Sequence, residues 1–329
     1  MKSKILKRIL YSLLSIVLAI TIVMLIPRSW AAISPQSAPI GYYFVYADYL
    51  AVAVGLESLI DREPKIPESI EETKDVEYKN INGKSLQMDF YRSKGQKEKL
   101  PLLVFIHGGG WKGGKRSDYL PYLIPYAEKG YMTATVSYRL LKDGAYPACL
   151  EDITDAVQWL FQHGEEYGYD PDRIALIGGS AGAHLSMIAG YGWKSADAKS
   201  DSVVVVPEHR IKLIVDIYGP VDMTTDYSIH HPLVTNFLAQ SYQENPSRYW
   251  EASPAAWLDK NDPPTLILHG TSDELVPISQ SELLKSKLDS LGVPCEYYPV
   301  PGWPHTMDII KRVNVFNQEK MDAFFKKYL

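Results

Sequence analysis

The segment from Arg173 to His184 constrains the fold of this chain more than any other stretch. It reads RIALIGGSAGAH, so an apolar run fit for a buried strand ends abruptly in small residues. Gly178 and Gly182 bracket Ser180 in a G-x-S-x-G pattern, which is typical of a sharp strand-to-helix turn that exposes a serine hydroxyl. Glycine suits both flanking positions because a Cβ there would crowd the strand and the helix. The pentapeptide alone also fits an ordinary loop, so the rest of the chain decides between the two.

From about Thr73 onward, apolar runs alternate with helical patterns. Two runs separated by Asn82-Gly83 predict an opening antiparallel hairpin, and later runs have the continuity of buried parallel strands. This alternation predicts an α/β fold, with a mostly parallel central sheet and helices on both faces. The predicted strands are 76–78 and 86–91 for the hairpin, followed by 100–106, 131–137, 174–177, 213–218, 265–268 and 295–300. Helices are predicted within 147–167 and after Ser180, Pro277 and Asp308.

Residues 1–27 predict a membrane anchor. Four basic residues at positions 2–8 precede an uncharged apolar run, 9–26, which is about long enough to cross a bilayer core. The apolar part of a cleaved signal peptide is usually shorter, roughly 7–15 residues, so an uncleaved signal-anchor helix is favoured over cleavage and secretion. Because the basic residues come first, the positive-inside rule puts the rest of the chain outside the cytoplasm.

Residues 28–72 are interpreted as a juxtamembrane helix and linker. The apolar stretch 40–60 is interrupted by Asp48 and Glu57, and burying these carboxylates in lipid would be costly. An interfacial or domain-packed helix is therefore favoured over a second span, and a re-entrant hairpin is left open. Residues 73–329 are predicted to form one catalytic domain, with 222–262 as a helical insertion over the sheet edge.

Composition narrows the classes of partner. The net charge of −5 gives no basic footprint for nucleic acid, and nothing in the chain indicates an oligomeric state. The two cysteines, Cys149 and Cys295, do not have metal-ligand spacing, so no metal cofactor is predicted. Free thiols are favoured for both, and a disulfide is left open. The 23 tyrosines suit aromatic-lined clefts or a membrane interface.

Chemistry-bearing residues follow four of the predicted strands. Ligands of an open parallel sheet bind at the carboxyl ends of its strands. Strand 100–106 is followed by a run of three glycines, strand 174–177 by Ser180, strand 265–268 by Asp273 and strand 295–300 by His305. Nucleophile, acid and base thus occur in the order expected of a serine-histidine-acid hydrolase.

The roles follow from the chemistry of each group. Ser180 is a weak nucleophile that needs a base, His305 would take and return its proton, and Asp273 would orient the imidazole. The backbone N–H groups of Gly108, Gly109 and Ala181 would stabilise the oxyanion. Trp111 and Trp303 flank the predicted cleft and are candidate substrate contacts, although each is more often a packing residue.

Other residues compete for these roles. His184 is expected to pack locally and His107 and His269 to brace loops, while Asp152 is expected to cap a helix or anchor a loop. The alternative bases are His107, His184, His230, His231 and His269, and the alternative acids are Asp308 and Glu274.

Three motifs carry a resemblance to a known family: 107–111 (HGGGW), 170–182 (DPDRIALIGGSAG) and 269–273 (HGTSD). Over residues 73–329 the chain resembles the α/β-hydrolase esterases, and more narrowly the HGGG-type carboxylesterases of the hormone-sensitive-lipase and acetyl-esterase group. The resemblance implies hydrolysis of small-molecule esters through an acyl-serine, without a metal, using the residues named above. Two departures stand out: Ala183 replaces a common glycine, and the bulky loop 302–305 suggests a narrower pocket.

The sequence therefore favours a membrane-anchored serine esterase acting on short-chain, acetyl-type esters, with acetylated carbohydrate among the candidates. Two alternatives remain open at this point. One is amide chemistry on the same scaffold, as in formamidases, which have a similar glycine loop, or peptidases. The other is a hydrolase fold that has lost catalysis and serves as a binding module.

Overall fold

The structure, a computed structural model, describes residues 2–33, 37–193 and 210–329. Within these residues the strands form one eight-stranded sheet in the order β1-β2-β4-β3-β5-β6-β7-β8. β2 pairs antiparallel with β1 and β4, and all the other pairs are parallel. The strands are β1 (Ile70–Ile81), β2 (Lys84–Ser93), β3 (Leu100–Ile106), β4 (Met132–Val136), β5 (Tyr169–Gly179), β6 (Ile211–Ile217), β7 (Thr265–Gly270) and β8 (Cys295–Val300).

Helices cover both faces of the sheet. One apolar layer packs α4, α6, α8 and α10 against it, and the other packs α2, α3 and α11. The helices are α1 (Lys2–Ile33), α2 (Val45–Ala53), α3 (Leu120–Glu128), α4 (Ala148–Gln162), α5 (Gly164–Tyr167), α6 (Ala181–Gly190), α7 (Asp226–His230), α8 (Pro232–Leu238), α9 (Pro246–Glu251), α10 (Ser279–Leu291) and α11 (Lys311–Tyr328). Short 3-10 turns cover Arg116–Tyr119, Pro254–Ala256 and Met307–Ile309.

The central strands are apolar on both faces because helices cover both faces. Every residue of β4 and β7 is buried, which explains why these strands read as continuous apolar runs. The pairing register aligns the carboxyl ends of β3, β4 and β5, since Ile106 pairs with Val136 on one side and with Gly178 on the other. The predicted α/β fold is confirmed, and its carboxyl edge brings together the loops that follow β3, β5, β7 and β8.

Some boundaries differ from the prediction. β1 begins at Ile70, within the predicted linker, and β5 begins at Tyr169, before the apolar run from which it was predicted. The segment 222–262 contains α7, α8 and α9 without a strand, and Leu233 of α8 lies over Gly110. Asp152 is fully buried in α4 and pairs with Lys79 and Arg139, so it ties the hairpin to the helix layer.

α1 extends past Pro27 to Ile33, and its segment Lys7–Pro27 is long and apolar enough to cross a bilayer, with a mean hydropathy of 2.8. α2 has nine residues, too few to span. The segment that contains it, which we call the N-terminal strap (residues 37–60), packs on the domain. Asp48 and Glu57 are buried, and Glu57 accepts hydrogen bonds from Arg312 at 2.9 Å. One side of this segment therefore packs on the domain.

Both cysteines are free thiols. Cys149 is buried within α4, and burial raises the pKa of its thiol well above the ordinary range. Cys295 begins β8 and is half-buried, and burial raises the pKa of its thiol to about 12. The favoured free-thiol interpretation is confirmed.

Candidate active site

Ser180 occupies the turn between β5 and α6 in a strained backbone conformation, with φ 57° and ψ −123°. Its N–H donates to the Ile217 carbonyl at 2.9 Å, which ties the turn to β6. A Cβ on Gly178 would lie 2.3 Å from the carbonyl carbon of Gly182, and a Cβ on Gly182 would lie 2.0 Å from the carbonyl oxygen of Ile106. Both flanking glycines are therefore required for the strand and helix to approach this closely.

Ser180, His305 and Asp273 form one hydrogen-bonded chain. His305 Nδ1 lies 2.6 Å from Asp273 Oδ2, and His305 Nε2 lies 2.9 Å from Ser180 Oγ. Because the carboxylate can only accept, Nδ1 carries the proton, and Nε2 of the neutral ring is left to accept from the serine hydroxyl. Three predicted residues from three strand ends thus meet with the geometry that a nucleophile, its base and an orienting acid require.

The Asp273 carboxylate is held ionised. Its Oδ1 accepts the backbone N–H groups of Leu275 and Val276 at 2.9 and 2.8 Å. Its Oδ2 lies 3.2 Å from Nε2 of His269, besides accepting from His305. Burial works against ionisation, but the hydrogen bonds from the two histidines and their charges lower the pKa of Asp273 to about 2.

The glycine loop after β3 lies directly beside the serine. A Cβ on Gly108 would lie 2.6 Å from the Gly179 carbonyl, and Gly109 has a φ of 110°, a conformation that favours glycine. Within the described residues, the N–H groups of Gly108, Gly109 and Ala181 have no intramolecular acceptor. Three backbone donors are thus free to bind a negatively charged oxygen next to Ser180.

Two cavities flank Ser180. The larger, about 490 Å³, has mixed walls in which apolar residues such as Ile60, Leu233 and Ile309 lie beside polar and aromatic ones, including Arg62, Lys112, Asp118, Tyr119, Tyr122, Asp308 and His305. The smaller, about 40 Å³, is mostly apolar and is lined by residues that include Trp111, Ala181, Pro220, Leu233, Val234 and Val276. The serine therefore lies between one roomy space of mixed lining and one small apolar space.

The other histidines that could have served as the base make structural contacts instead. His269 is fully buried, and its Nε2–H donates towards the Val276 carbonyl and Asp273, so it braces the acid loop. The His107 ring stacks on Tyr138 with centroids 4.4 Å apart, and burial lowers the pKa of this histidine. The remaining alternatives also lie in other contacts: His184 is fully buried behind Trp111, His230 is exposed on α7, and His231 caps α8.

In the part of the chain that the structure describes, the imidazole Nδ1 of His305 is hydrogen-bonded to Asp273 and to neither alternative acid. Asp308 accepts a hydrogen bond from the Tyr218 hydroxyl, and burial raises the pKa of this carboxyl. Glu274 is exposed. Tyr218, which the sequence analysis did not single out, packs its ring 4.6 Å from that of His305. It directly follows β6, so the strand-end argument could have found it.

The two candidate tryptophans differ in their surroundings. Trp111 lines the small cavity, donates from Nε1 to His184 at 3.3 Å and stacks on Phe237. Trp303 lines neither cavity and is fully buried under the N-terminal strap. Its indole N–H donates to the Pro39 carbonyl at 2.8 Å, and Arg312 lies 4.7 Å over its ring. The expectation that Trp303 contacts the substrate is therefore corrected, because its side chain is buried away from both cavities.

The N-terminal part of the chain supplies two wall residues that were predicted to lie in the juxtamembrane helix and linker, residues 28–72. Ile60 and Arg62 line the large cavity opposite the glycine loop. Ile60 is held there because its N–H donates to the Ile309 carbonyl at 2.9 Å. No sequence signal marked this contact, since it depends on how the strap folds back onto the domain.

Among the described residues, no cluster of His, Cys, Asp and Glu is placed to hold a metal ion.

Comparisons with known proteins place this arrangement in a family. The model of the BD-FAE family matches residues 88–288. Two relatives from Mycobacterium tuberculosis are similar: the probable carboxylic ester hydrolase LipM, 31% identical over 64% of this chain and 50% of its own length, and the esterase LipQ, 28% identical over 74% and 59%. The chain thus spans less than two thirds of the length of these curated relatives.

Solved structures share the fold. The thermophilic esterase Est2 of Thermogutta terrifontis is 22% identical, with a TM-score of 0.67 over 82% of this chain and 95% of that chain. A truncated carbohydrate esterase from gut microbiota is 25% identical, with a TM-score of 0.64 over 78% and 95%. Since the family match covers more than half of the chain and the fold agrees, the chain belongs to the BD-FAE family, within the HGGG-type carboxylesterase group of the α/β-hydrolase superfamily.

Proposed function

We propose that this protein is a serine esterase that removes short, acetyl-type acyl groups from hydrophilic alcohols. The observation that carries the proposal is the hydrogen-bonded chain from Ser180 through His305 to Asp273, at 2.9 and 2.6 Å. The esterases among its relatives and structural neighbours support the same reaction class.

The geometry supports a two-step acyl transfer. Ser180 Oγ attacks the ester carbonyl while His305 Nε2 takes its proton, and Asp273 stabilises the imidazolium that forms. The carbonyl oxygen becomes an oxyanion that the N–H groups of Gly108, Gly109 and Ala181 can bind. His305 then protonates the leaving alkoxide, and a water activated by the same nitrogen hydrolyses the acyl-serine.

The position of His305 supports a separate role for each of the two cavities. This residue must reach the oxygen of the leaving alcohol, and it lines the large cavity but not the small one. The alcohol therefore belongs in the large cavity and the acyl chain in the small one. At about 40 Å³ the small cavity accommodates roughly three water-sized groups, which suits an acetyl group.

The walls of the large cavity offer polar partners to a hydrophilic alcohol. Charged and hydroxyl-bearing side chains, including Arg62, Lys112, Asp118 and Tyr119, contribute to its lining beside apolar residues. Its volume of about 490 Å³ lies within the range of small-molecule sites. A structural neighbour described as a carbohydrate esterase adds support for an acetylated sugar as the substrate class.

We further propose that α1 anchors the enzyme, with the catalytic domain outside the cytoplasm. The span Lys7–Pro27 and the basic residues before it support this orientation. On this proposal residues 1–27 are the anchor and residues 28–72 connect it to the catalytic domain of residues 73–329, which extends back to Ile70 because β1 begins there.

The experiment compares hydrolysis of p-nitrophenyl acetate by the unmodified chain, Ser180→Ala and Ser290→Ala. We expect Ser180→Ala to lose about 10⁶-fold in kcat, because the base then has no nucleophile to activate. Ser290 is exposed on α10, where its hydroxyl donates to the Lys287 carbonyl, so Ser290→Ala should retain full activity. Turnover by Ser180→Ala at the rate of the unmodified chain would refute the serine mechanism.

The acyl pocket is tested in the same assay with a graded acyl series. We expect kcat/KM to fall at least about tenfold from acetate to hexanoate, and Val234→Ala, which enlarges the small cavity, to shift the preference towards longer chains. Val293→Ala trims a buried valine elsewhere and should leave the preference unchanged. A flat series, or faster cleavage of matched anilides than of esters, would contradict the assignment and favour amide chemistry.

A further inference from the structure

The N-terminal strap presents an apolar, aromatic face to solvent. Its outer residues are largely exposed, with Phe44 at 71% and Tyr46 at 83%. Such a contiguous exposed patch is uncommon on a soluble domain and usually marks an interaction site. We call it the aromatic face, and it consists of Tyr43, Phe44, Tyr46, Tyr49, Leu50 and Val54.

The aromatic face is held outward by the opposite side of the same segment. Asp48 and Ala51 of α2 are buried, and the Gly41 N–H donates to the Pro301 carbonyl at 2.7 Å. The Tyr43 N–H donates to the Gly302 carbonyl at 3.0 Å. The face is therefore fixed to the domain at a set angle, so its exposure belongs to the fold.

The chemistry of the aromatic face suits a membrane interface. None of its six residues is charged, and the nearby carboxylate of Asp48 is buried on the opposite side of α2. Tyrosines have an apolar ring and a polar hydroxyl, which is why they are enriched where hydrocarbon meets headgroups. A short helix with one apolar face and one protein-packed face can lie in that plane.

The position of the aromatic face in the chain indicates that its binding partner is a lipid surface. The spanning segment of α1 ends at Pro27, and the face begins at Tyr43, 16 residues later in the chain. Met24, near the end of that segment, is buried and belongs to the same apolar layer as Tyr42 and Ala51 of the strap. An anchored chain therefore keeps this face beside the bilayer at all times.

We propose that the aromatic face docks on the outer surface of the bilayer and fixes the orientation of the enzyme. This inference rests on the proposed anchoring by α1. Docking would also set the position of the large cavity, since Ile60 and Arg62, at the end of the strap and just beyond it, form part of its wall. The substrate entrance would then lie close to the membrane surface.

The test uses the full chain reconstituted in phosphatidylcholine vesicles, with an environment-sensitive bimane label on a single introduced cysteine. Tyr46→Cys and Tyr49→Cys place the label on the aromatic face. Glu165→Cys, at a highly exposed position on α5, is the matched control. Labelling of the unmodified chain reports the background from Cys149 and Cys295. We expect lipids brominated near the headgroup to quench the labels at positions 46 and 49, and aqueous iodide to quench them about fivefold less than at position 165.

Flotation of the vesicles, measured separately, reports the anchor. Equal iodide quenching at positions 46, 49 and 165 in a chain that floats with the vesicles would overturn docking and leave the anchor standing. A chain that fails to float would overturn both. Because neither readout depends on ester hydrolysis, loss of the proposed activity would remain a distinct result.

Discussion

Asp273 shows at the scale of one residue how a loop carboxylate can be kept ionised beside an imidazole. Two backbone N–H groups and two histidines surround it, and the pKa of its carboxyl is lowered to about 2. This folded-state pKa lies below the ordinary value of about 3.9. Its stabilising contribution is therefore complete above that value and is lost only as the pH falls towards 2. At any pH suited to ester assays, Asp273 is an acceptor for His305.

The three carboxyls that compete for this role can be ranked by substitution. We expect Asp273→Asn to lower kcat about 10⁴-fold, because an amide at this position favours the wrong imidazole tautomer. Asp308→Asn should cost much less, since its carboxyl bonds to Tyr218. Glu274→Gln should have no effect, because that side chain is exposed. Initial rates on p-nitrophenyl acetate measure all three, and a loss for Asp308→Asn that matches Asp273→Asn would contradict the ranking.

The residues that the sequence could predict are those whose role is visible locally. Ser180, Asp273 and His305 each follow an apolar run, so the strand-end argument found them without knowledge of packing. Trp303 also follows a strand, but its surroundings depend on Pro39 and Arg312, which are distant in the chain. The direction in which its side chain points is a tertiary property that no local pattern records.

At the scale of elements, the N-terminal strap and the loop that carries His305 behave as one unit. Backbone hydrogen bonds join Gly41 to Pro301 and Ile60 to Ile309, on either side of that loop. Between them, Glu57 forms a buried ion pair with Arg312 at the start of α11. The sequence predicted a helix near residues 40–60 and strands around the loop. It did not predict their union, because strap and loop are more than 200 residues apart.

We expect Glu57→Gln to loosen this unit. Removing one partner of a buried ion pair costs about 3 kcal/mol, so the thermal midpoint should fall. Because the strap holds the His305 loop from behind, kcat should drop several-fold while KM changes little. The matched control is Asp322→Asn, which breaks the exposed pair with Lys129 and should cost under about 1 kcal/mol. Lower stability with an unchanged kcat would mean that the strap has no positioning role.

At the scale of the whole molecule, His184 joins three parts of the fold. It lies in α6 behind Ser180, its Nε2–H donates to the Ala252 carbonyl at 2.8 Å, and its Nδ1 accepts from the Trp111 indole at 3.3 Å. The neutral ring satisfies both partners, whereas a second proton on Nδ1 would meet the indole N–H donor. Consistent with this arrangement, burial lowers the pKa of His184 to about 4.

The burial of His184 predicts that the folded state loses stability as the pH falls. The folded-state pKa of His184 lies below the unfolded value of about 6.5, so between these values the unfolded chain binds the extra proton and stability falls as the pH falls. The loss amounts to about 3 kcal/mol between pH 6.5 and pH 4. His184→Gln removes the titrating ring, so urea unfolding of the detergent-solubilised chain should depend less steeply on pH in this variant. Phe237→Leu, which trims a ring packed on His184, should lower stability without changing the slope. Equal slopes for the unmodified chain and His184→Gln would show that acid acts elsewhere. Other buried carboxyls, such as Asp216, titrate alike in all three proteins and cancel in the comparison.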